Sequence, residues 1–154
     1  MLRAFFYLNR KADAHLDFDI DLAMTKTDEN PVFYIQYAYV RTASILEKAT
    51  THELFANIND TDLAHIGIEE RVLLKKIVSL KDTLATINRT HQTHILAFYV
   101  YDLAHTFHSY YAVNRVIETT NTQKTRARLA VIATLRSTIA LCLDLLGVSN
   151  PHKM

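Results

Sequence analysis

The sequence predicts an all-α fold, an antiparallel helical bundle, and three observations carry that prediction. The 154-residue chain has two glycines, Gly67 and Gly147, and two prolines, Pro31 and Pro151. Sandwiches, barrels and doubly wound sheets need many tight turns, and tight turns need those residues. Apolar residues recur at intervals of three and four over long stretches, the period of a helix with one face in a core. Asn30-Pro31 has the chemistry of a helix start and Gly147 that of a helix stop. The length is that of one domain, and 49% hydrophobic with 21% charged residues excludes a disordered tail.

Residues 1–29 read differently from the rest. Residues 2–8 are apolar and suit the last turns of a helix, while residues 16–22 alternate strictly, the period of a short half-buried strand. With no partner strand in sight, this stretch reads as the end of another domain. Residues 30–154 read as the bundle. A helix runs from Pro31 to about residue 50, capped by Asn30. Residues 51–67 form a polar connector with room for one short turn, closing at Gly67. Helical character resumes at Ile68, with Val72, Leu73, Ile77 and Leu80 on one side and Glu70, Arg71, Lys75 and Lys76 on the other. Asn88-Arg89-Thr90 marks a break. The next helix spans about residues 92–118, with Leu96, Val100, Leu103, Phe107, Tyr110, Asn114 and Ile117 on one face. Thr119 to Thr122 interrupts it. The last helix spans about residues 122–146, where Ile132, Leu135, Ile139, Cys142 and Leu146 make a stripe broadened by Leu129, Ala133, Ala140 and Leu143. Gly147 then takes a left-handed cap position.

The formal net charge is +1, which argues mildly against a nucleic-acid binder. Its distribution argues the other way. In residues 1–30 the acids Asp13, Asp17, Asp19, Asp21, Asp28 and Glu29 outnumber the bases. In residues 103–154 the bases Arg115, Lys124, Arg126, Arg128, Arg136 and Lys153 face only Glu118 and Asp144. A basic back end suits a polyanion; a solvated charge pattern with no partner is the alternative. The single cysteine, Cys142, excludes an intrachain disulfide and a cysteine metal site, and fits a reducing, cytoplasmic setting. No apolar run approaches the roughly 18 residues that cross a membrane, and the N-terminus lacks a signal-peptide pattern.

His91, His94, His105 and His108 share one predicted helix. Each pair is spaced i, i+3, but the pairs lie about 21 Å apart along a helix, and no Glu-x-x-His motif accompanies them. Surface histidines are the expected reading, and a metal-binding bundle is the minor one. Ala64-His65-Ile66-Gly67 shares only three letters with the His-Ile-Gly-His signature of class I aminoacyl-tRNA synthetases, and Ile68 follows where His is needed, so Gly67 reads as a helix start. No phosphate-binding glycine loop exists, and Cys142 belongs to a core stripe. Tyr101, His105, His108, Tyr111 and Arg115 lie on one face of the long helix. Aromatic rings with a guanidinium suit base stacking and phosphate pairing. On these residues alone, a tyrosine-rich core with hydroxyls reaching solvent is the favoured alternative.

Three stretches shift that balance. Phe18-Asp19-Ile20-Asp21-Leu22-Ala23 followed by Asn30-Pro31-Val32-Phe33-Tyr34-Ile35-Gln36-Tyr37-Ala38-Tyr39-Val40-Arg41 resembles arginyl-tRNA synthetases where the catalytic half passes into the C-terminal helical domain. Leu103-Ala104-His105-Thr106-Phe107-His108-Ser109-Tyr110-Tyr111, ending in Asn114-Arg115-Val116-Ile117, is similar to a helix of the same family. Leu143-Asp144-Leu145-Leu146-Gly147-Val148-Ser149-Asn150-Pro151-His152-Lys153-Met154 is similar to its C-terminus. The resemblance covers nearly the whole chain. It implies residues 1–29 as the end of the catalytic and stem-contact region and residues 30–154 as a DALR-type anticodon-binding bundle. The full enzyme joins arginine to its tRNA using ATP with Mg; this piece carries neither ATP-binding signature, so no cofactor, no metal and no catalysis are expected of it alone. The implied partners are the tRNA for arginine and the catalytic domain, with no membrane, in a cytoplasmic monomer. The tRNA-binding candidates are Tyr111, Arg115, His108, Tyr110, Asn114, Arg41, Tyr37, Lys153 and Met154, with Tyr111, Arg115 and Met154 expected to line one patch and Tyr110 expected to turn toward the bundle. Tyr39 replaces the family's usual His, Tyr110 its Phe, Asn114 its Cys and Lys153 its Arg. A helical protein–protein module with a tyrosine-rich docking face is the alternative from a different class.

Overall fold

The computed structural model describes residues 25, 27, 29–51 and 64–154. Among them are five helices: α1 (Pro31–Thr50), α2 (Ile68–Val78), α3 (Leu80–Thr90), α4 (His94–Val113) and α5 (Thr122–Leu145). The expected helix end at 2–8, the alternating segment at 16–22 and most of the connector at 51–67 lie outside the described residues. No helix among the described residues is long and apolar enough to cross a membrane.

The punctuation works as its chemistry requires. Asn30 Oδ1 accepts from the N–H groups of Val32 (3.0 Å) and Phe33 (3.4 Å), and Pro31 takes the first helical position. Gly67 caps α2, and Glu70 reaches back so that its Oε2 accepts from the Gly67 N–H at 2.9 Å. Ser79 alone separates α2 from α3, its hydroxyl donating to the Lys76 carbonyl at 2.7 Å. A side chain that competes for helix carbonyls breaks the run there. At the other end of α5, Gly147 sits at φ 66°. Val148 N–H donates to the Leu143 carbonyl (2.9 Å) and Gly147 N–H to that of Asp144 (3.0 Å), the Schellman pattern.

Two breaks differ from expectation. Asn88-Arg89-Thr90 is helix; the break falls at His91, held left-handed at φ 58° with its N–H on the Ile87 carbonyl. The long helix ends at Val113, not near residue 118. Asn114 is extended, and both its N–H and its Nδ2 donate to the Tyr110 carbonyl at 3.0 Å. Two donors on one terminal carbonyl close the helix, and burial of Val116 draws the chain inward as a connector, residues 114–121. Asn114 and Ile117 therefore do not belong to the α4 stripe.

α1 and α2 each pack against both α4 and α5, and α4 also packs against α5 and α3. α5 runs antiparallel to α1, since Gln36 bonds Ser149 and Tyr39 bonds Arg136. α2 runs antiparallel to α4, since Glu70 meets Tyr110 and Lys76 meets Asp102. Within this bundle α1 and α4 run side by side in the same direction: Tyr34 meets Tyr101 and His108, Tyr37 meets His108, and Arg41 meets Tyr111. The α5 stripe is core as expected, with Ile132, Leu135, Ile139 and Cys142 fully buried. On α2 the stripe differs: Val72 is exposed, whereas Glu70 is 1% exposed. The buried face of α2 runs Glu70, Leu73, Ile77, with Leu80 continuing it at the start of α3. One of its knobs is a carboxylate.

Candidate nucleic-acid interface

Parallel packing of α1 and α4 brings their aromatic rings into register. Tyr34 lies 4.6 Å from the His108 ring and 5.2 Å from that of Tyr101. Tyr37 stacks on His108 at 5.5 Å with 18° between planes. Further along, Tyr111 stacks on Phe107 at 5.8 Å, and the Arg41 guanidinium sits 4.9 Å from the Tyr111 ring centre. The aromatic run opens into a groove of about 950 Å³ between the last turns of α1 and the connector. Arg41, Lys48 and Arg115 give it positive charge, Tyr111 an aromatic wall, and Glu118 an acid. That acid is compensated by Lys124 at 3.3 Å and Arg128 at 2.5 Å.

Behind the groove lies a buried polar network. The Arg128 Nε donates to Glu70 Oε1 at 2.7 Å, and the Tyr110 hydroxyl donates to the same oxygen at 2.8 Å. Arg128 Nη1 donates to the Arg115 carbonyl at 2.6 Å and to Glu118 Oε1 at 2.5 Å. Burial opposes ionisation of Glu70, but hydrogen bonds from Tyr110, Arg128 and the backbone, with the Arg128 charge, together hold its carboxyl below the ordinary value. Burial likewise pushes the Tyr110 hydroxyl up, with its bond to Glu70 adding to the shift. His108 is shifted down chiefly by burial, with the nearby charges of His105 and Arg41 acting the same way, which favours a neutral ring. The Cys142 thiol is pushed up to about 12 by burial, leaving it inert.

Each predicted residue has a definite place. Tyr111, half-buried, and Arg115, exposed, both line the groove, as do Asn114 and Arg41. Tyr111 and Arg115 are not successive turns of one helix, because α4 has ended by Asn114. Tyr37 is 43% exposed, and His108 is half-buried beneath it. Tyr110 is turned into the bundle as expected; at 6% exposure and bonded to Glu70 it offers no face to an RNA, which removes it from the tRNA-binding candidates. Lys153 and Met154 are exposed at the chain end but do not line the groove, so the expected joining of Met154 to Tyr111 and Arg115 is not seen there. Their tail instead begins where Gln36 Nε2 donates to the Ser149 carbonyl at 2.7 Å, on the earlier half of α1. The histidines are also less uniform than expected. His94 is buried edge-on to Phe98, and His108 belongs to the aromatic cluster. Among the described residues no three His, Cys, Asp or Glu side chains form a group that could hold a metal. Lys48 was not foreseen, although it lies seven residues after Arg41, on the same helical face. Glu70 and Arg128 gave no such signal.

Known proteins match this chain in family and in fold. Residues 35–154 match the family model described as the DALR anticodon binding domain. The chain is 39% identical over 152 residues to the arginine–tRNA ligase of Geobacillus thermodenitrificans, covering 97% of this chain and 27% of that protein. It is 44% identical over 151 residues to the arginine–tRNA ligase of Shouchella clausii, with the same coverages. Among solved structures it is similar to the arginyl-tRNA synthetases of Thermus thermophilus and Plasmodium falciparum. Each has a TM-score of 0.84 and 27% identity, over 99% of this chain and 26% of the other. The chain thus spans about a quarter of the length of the relatives it matches.

Proposed function

The chain belongs to the DALR anticodon-binding family, and from that premise we propose that it serves an arginine–tRNA ligase by holding the anticodon arm of the tRNA for arginine in the groove between α1 and the 114–121 connector. The observation that carries this reading is the groove itself. Arg41, Lys48 and Arg115 converge with the Tyr111 ring around a single opening. Phosphates pair with the cations, while an unstacked base lies against the ring. The Tyr37–His108 stack extends the aromatic surface along the same helix pair.

In the proposed whole enzyme, a catalytic domain activates arginine with ATP and Mg, and this bundle orients the tRNA so that its acceptor end reaches that site. No metal-holding group of side chains occurs among the described residues. Binding as a cytoplasmic monomer completes the proposal.

Fluorescence anisotropy of a labelled anticodon-arm hairpin tests it. Affinity should fall steeply with salt, and Arg41→Gln or Lys48→Gln should each flatten the log–log salt slope by about one unit. Binding that ignores both salt and these substitutions would place the RNA elsewhere, or nowhere on this chain.

A further inference from the structure

We propose that Arg128, held from behind by a Glu70 that Tyr110 braces, is a positioning residue for RNA binding: it holds the 114–121 connector in the shape that presents Arg115 to the groove. This inference rests on the groove being the RNA site.

Four observations lead to it. Arg128 is 6% exposed, so its charge is not offered to a ligand directly. Its Nη1 grips the connector twice, at the Arg115 carbonyl and at Glu118. Its Nε is fixed from behind by Glu70, a carboxylate 1% exposed whose other oxygen is tied to the start of α2 and whose Oε1 also accepts from Tyr110. The connector has little structure of its own: Thr125 Oγ1 brackets Glu118, accepting from its N–H at 2.9 Å and donating to its carbonyl at 2.8 Å, and Val116 anchors it in the core. Well-packed apolar residues often stabilise a core as well as a buried ion pair does. A buried charge network that ends on the backbone of a groove-lining residue has a geometric task that apolar side chains cannot perform, because only a guanidinium fork bonds an acid and a carbonyl at fixed angles.

The test is a double-substitution cycle on the 154-residue chain, read by hairpin binding and salt slope, with thermal unfolding followed in parallel. Arg115→Gln should weaken binding about tenfold, the equivalent of one charge-assisted hydrogen bond. Arg128→Lys keeps a cation beside Glu70 but cannot reach both connector acceptors. It should weaken binding by a similar factor and flatten the slope as Arg115→Gln does, and the double variant should be no weaker than Arg115→Gln alone. Fold losses that multiply, or wild-type binding by Arg128→Lys, would overturn the proposal. If Arg115→Gln binds normally, the groove reading fails and the positioning role falls with it. Should Arg128→Lys not fold, Glu118→Ala decides. By charge alone, loss of this acid tightens RNA binding, whereas loss of a connector hold weakens it; tighter binding would sink the proposal.

Discussion

Tyr110 and Tyr111 are neighbours in sequence with opposite fates. Successive helix residues point about 100° apart, so one ring enters the bundle and bonds Glu70 while the next stacks on Phe107 under Arg41. The distinction predicts separable phenotypes. Tyr111→Leu keeps apolar bulk over Phe107 but removes the ring, and should weaken hairpin binding by ~1–3 kcal/mol, one stacked base, with little change in Tm; a titration showing wild-type affinity would remove Tyr111 from the interface. Glu70 carries a prediction of different kind. Its carboxyl titrates below the ordinary value of 4.5 in the folded protein. The ionised form therefore stabilises the fold above about pH 4.5, and that contribution disappears as pH falls through the lower folded value. Urea midpoints should show Glu70→Gln less stable than wild type near neutral pH, with the gap closing under acid conditions. A gap of constant size from pH 7 to pH 3 would mean that the charge of Glu70 contributes nothing.

At the scale of elements, helix ends shape the groove. Had α4 continued to residue 118, Arg115 would sit one turn above Tyr111 and the connector would not exist as a wall. Because Asn114 stops the helix, Arg115 approaches from the connector while Arg41 and Lys48 approach from α1. The end of α5 has an analogous dependence on backbone conformation. A Cβ at Gly147 would meet nothing within 4 Å, so the position is constrained by φ 66° and not by space. Gly147→Ala should cost about 1–2 kcal/mol by forcing an L side chain into the left-handed region. Chemical denaturation showing no loss would mean the cap relaxes without strain.

Among the described residues the helices share a hydrophobic core, with α4 packed against all four of the others and α5 against α1, α2 and α4. Leu135 is fully buried on the α5 stripe, and Leu135→Ala should cost ~2–5 kcal/mol in a denaturation experiment; a loss below about half a kcal/mol would be incompatible with that core. The formal net charge is only +1. Binding to a polyanion depends on where cations converge, not on their sum, and the groove collects three of them from two distant stretches of chain.

Periodicity and punctuation were sufficient to reveal α1, the α5 stripe, the Asn30 and Gly147 caps and the all-α class, because each depends on contacts within a few residues along the chain. Of the residues the resemblance singled out, Arg41, Tyr111, Asn114 and Arg115 line the groove and Tyr37 and His108 stack on each other, while Tyr110, Lys153 and Met154 do not line it. Three features were decided only by tertiary packing. Glu70 resembles any solvated helix acid until α4 and α5 close over it and supply Tyr110 and Arg128, residues 40 and 58 positions away. Arg128 belongs to a charge run until its partners appear. The groove exists because α1 and α4 lie parallel, and no local pattern encodes which helices become neighbours. A hydrophobic period specifies which face is buried; what that face meets is determined by the combined packing of all the helices.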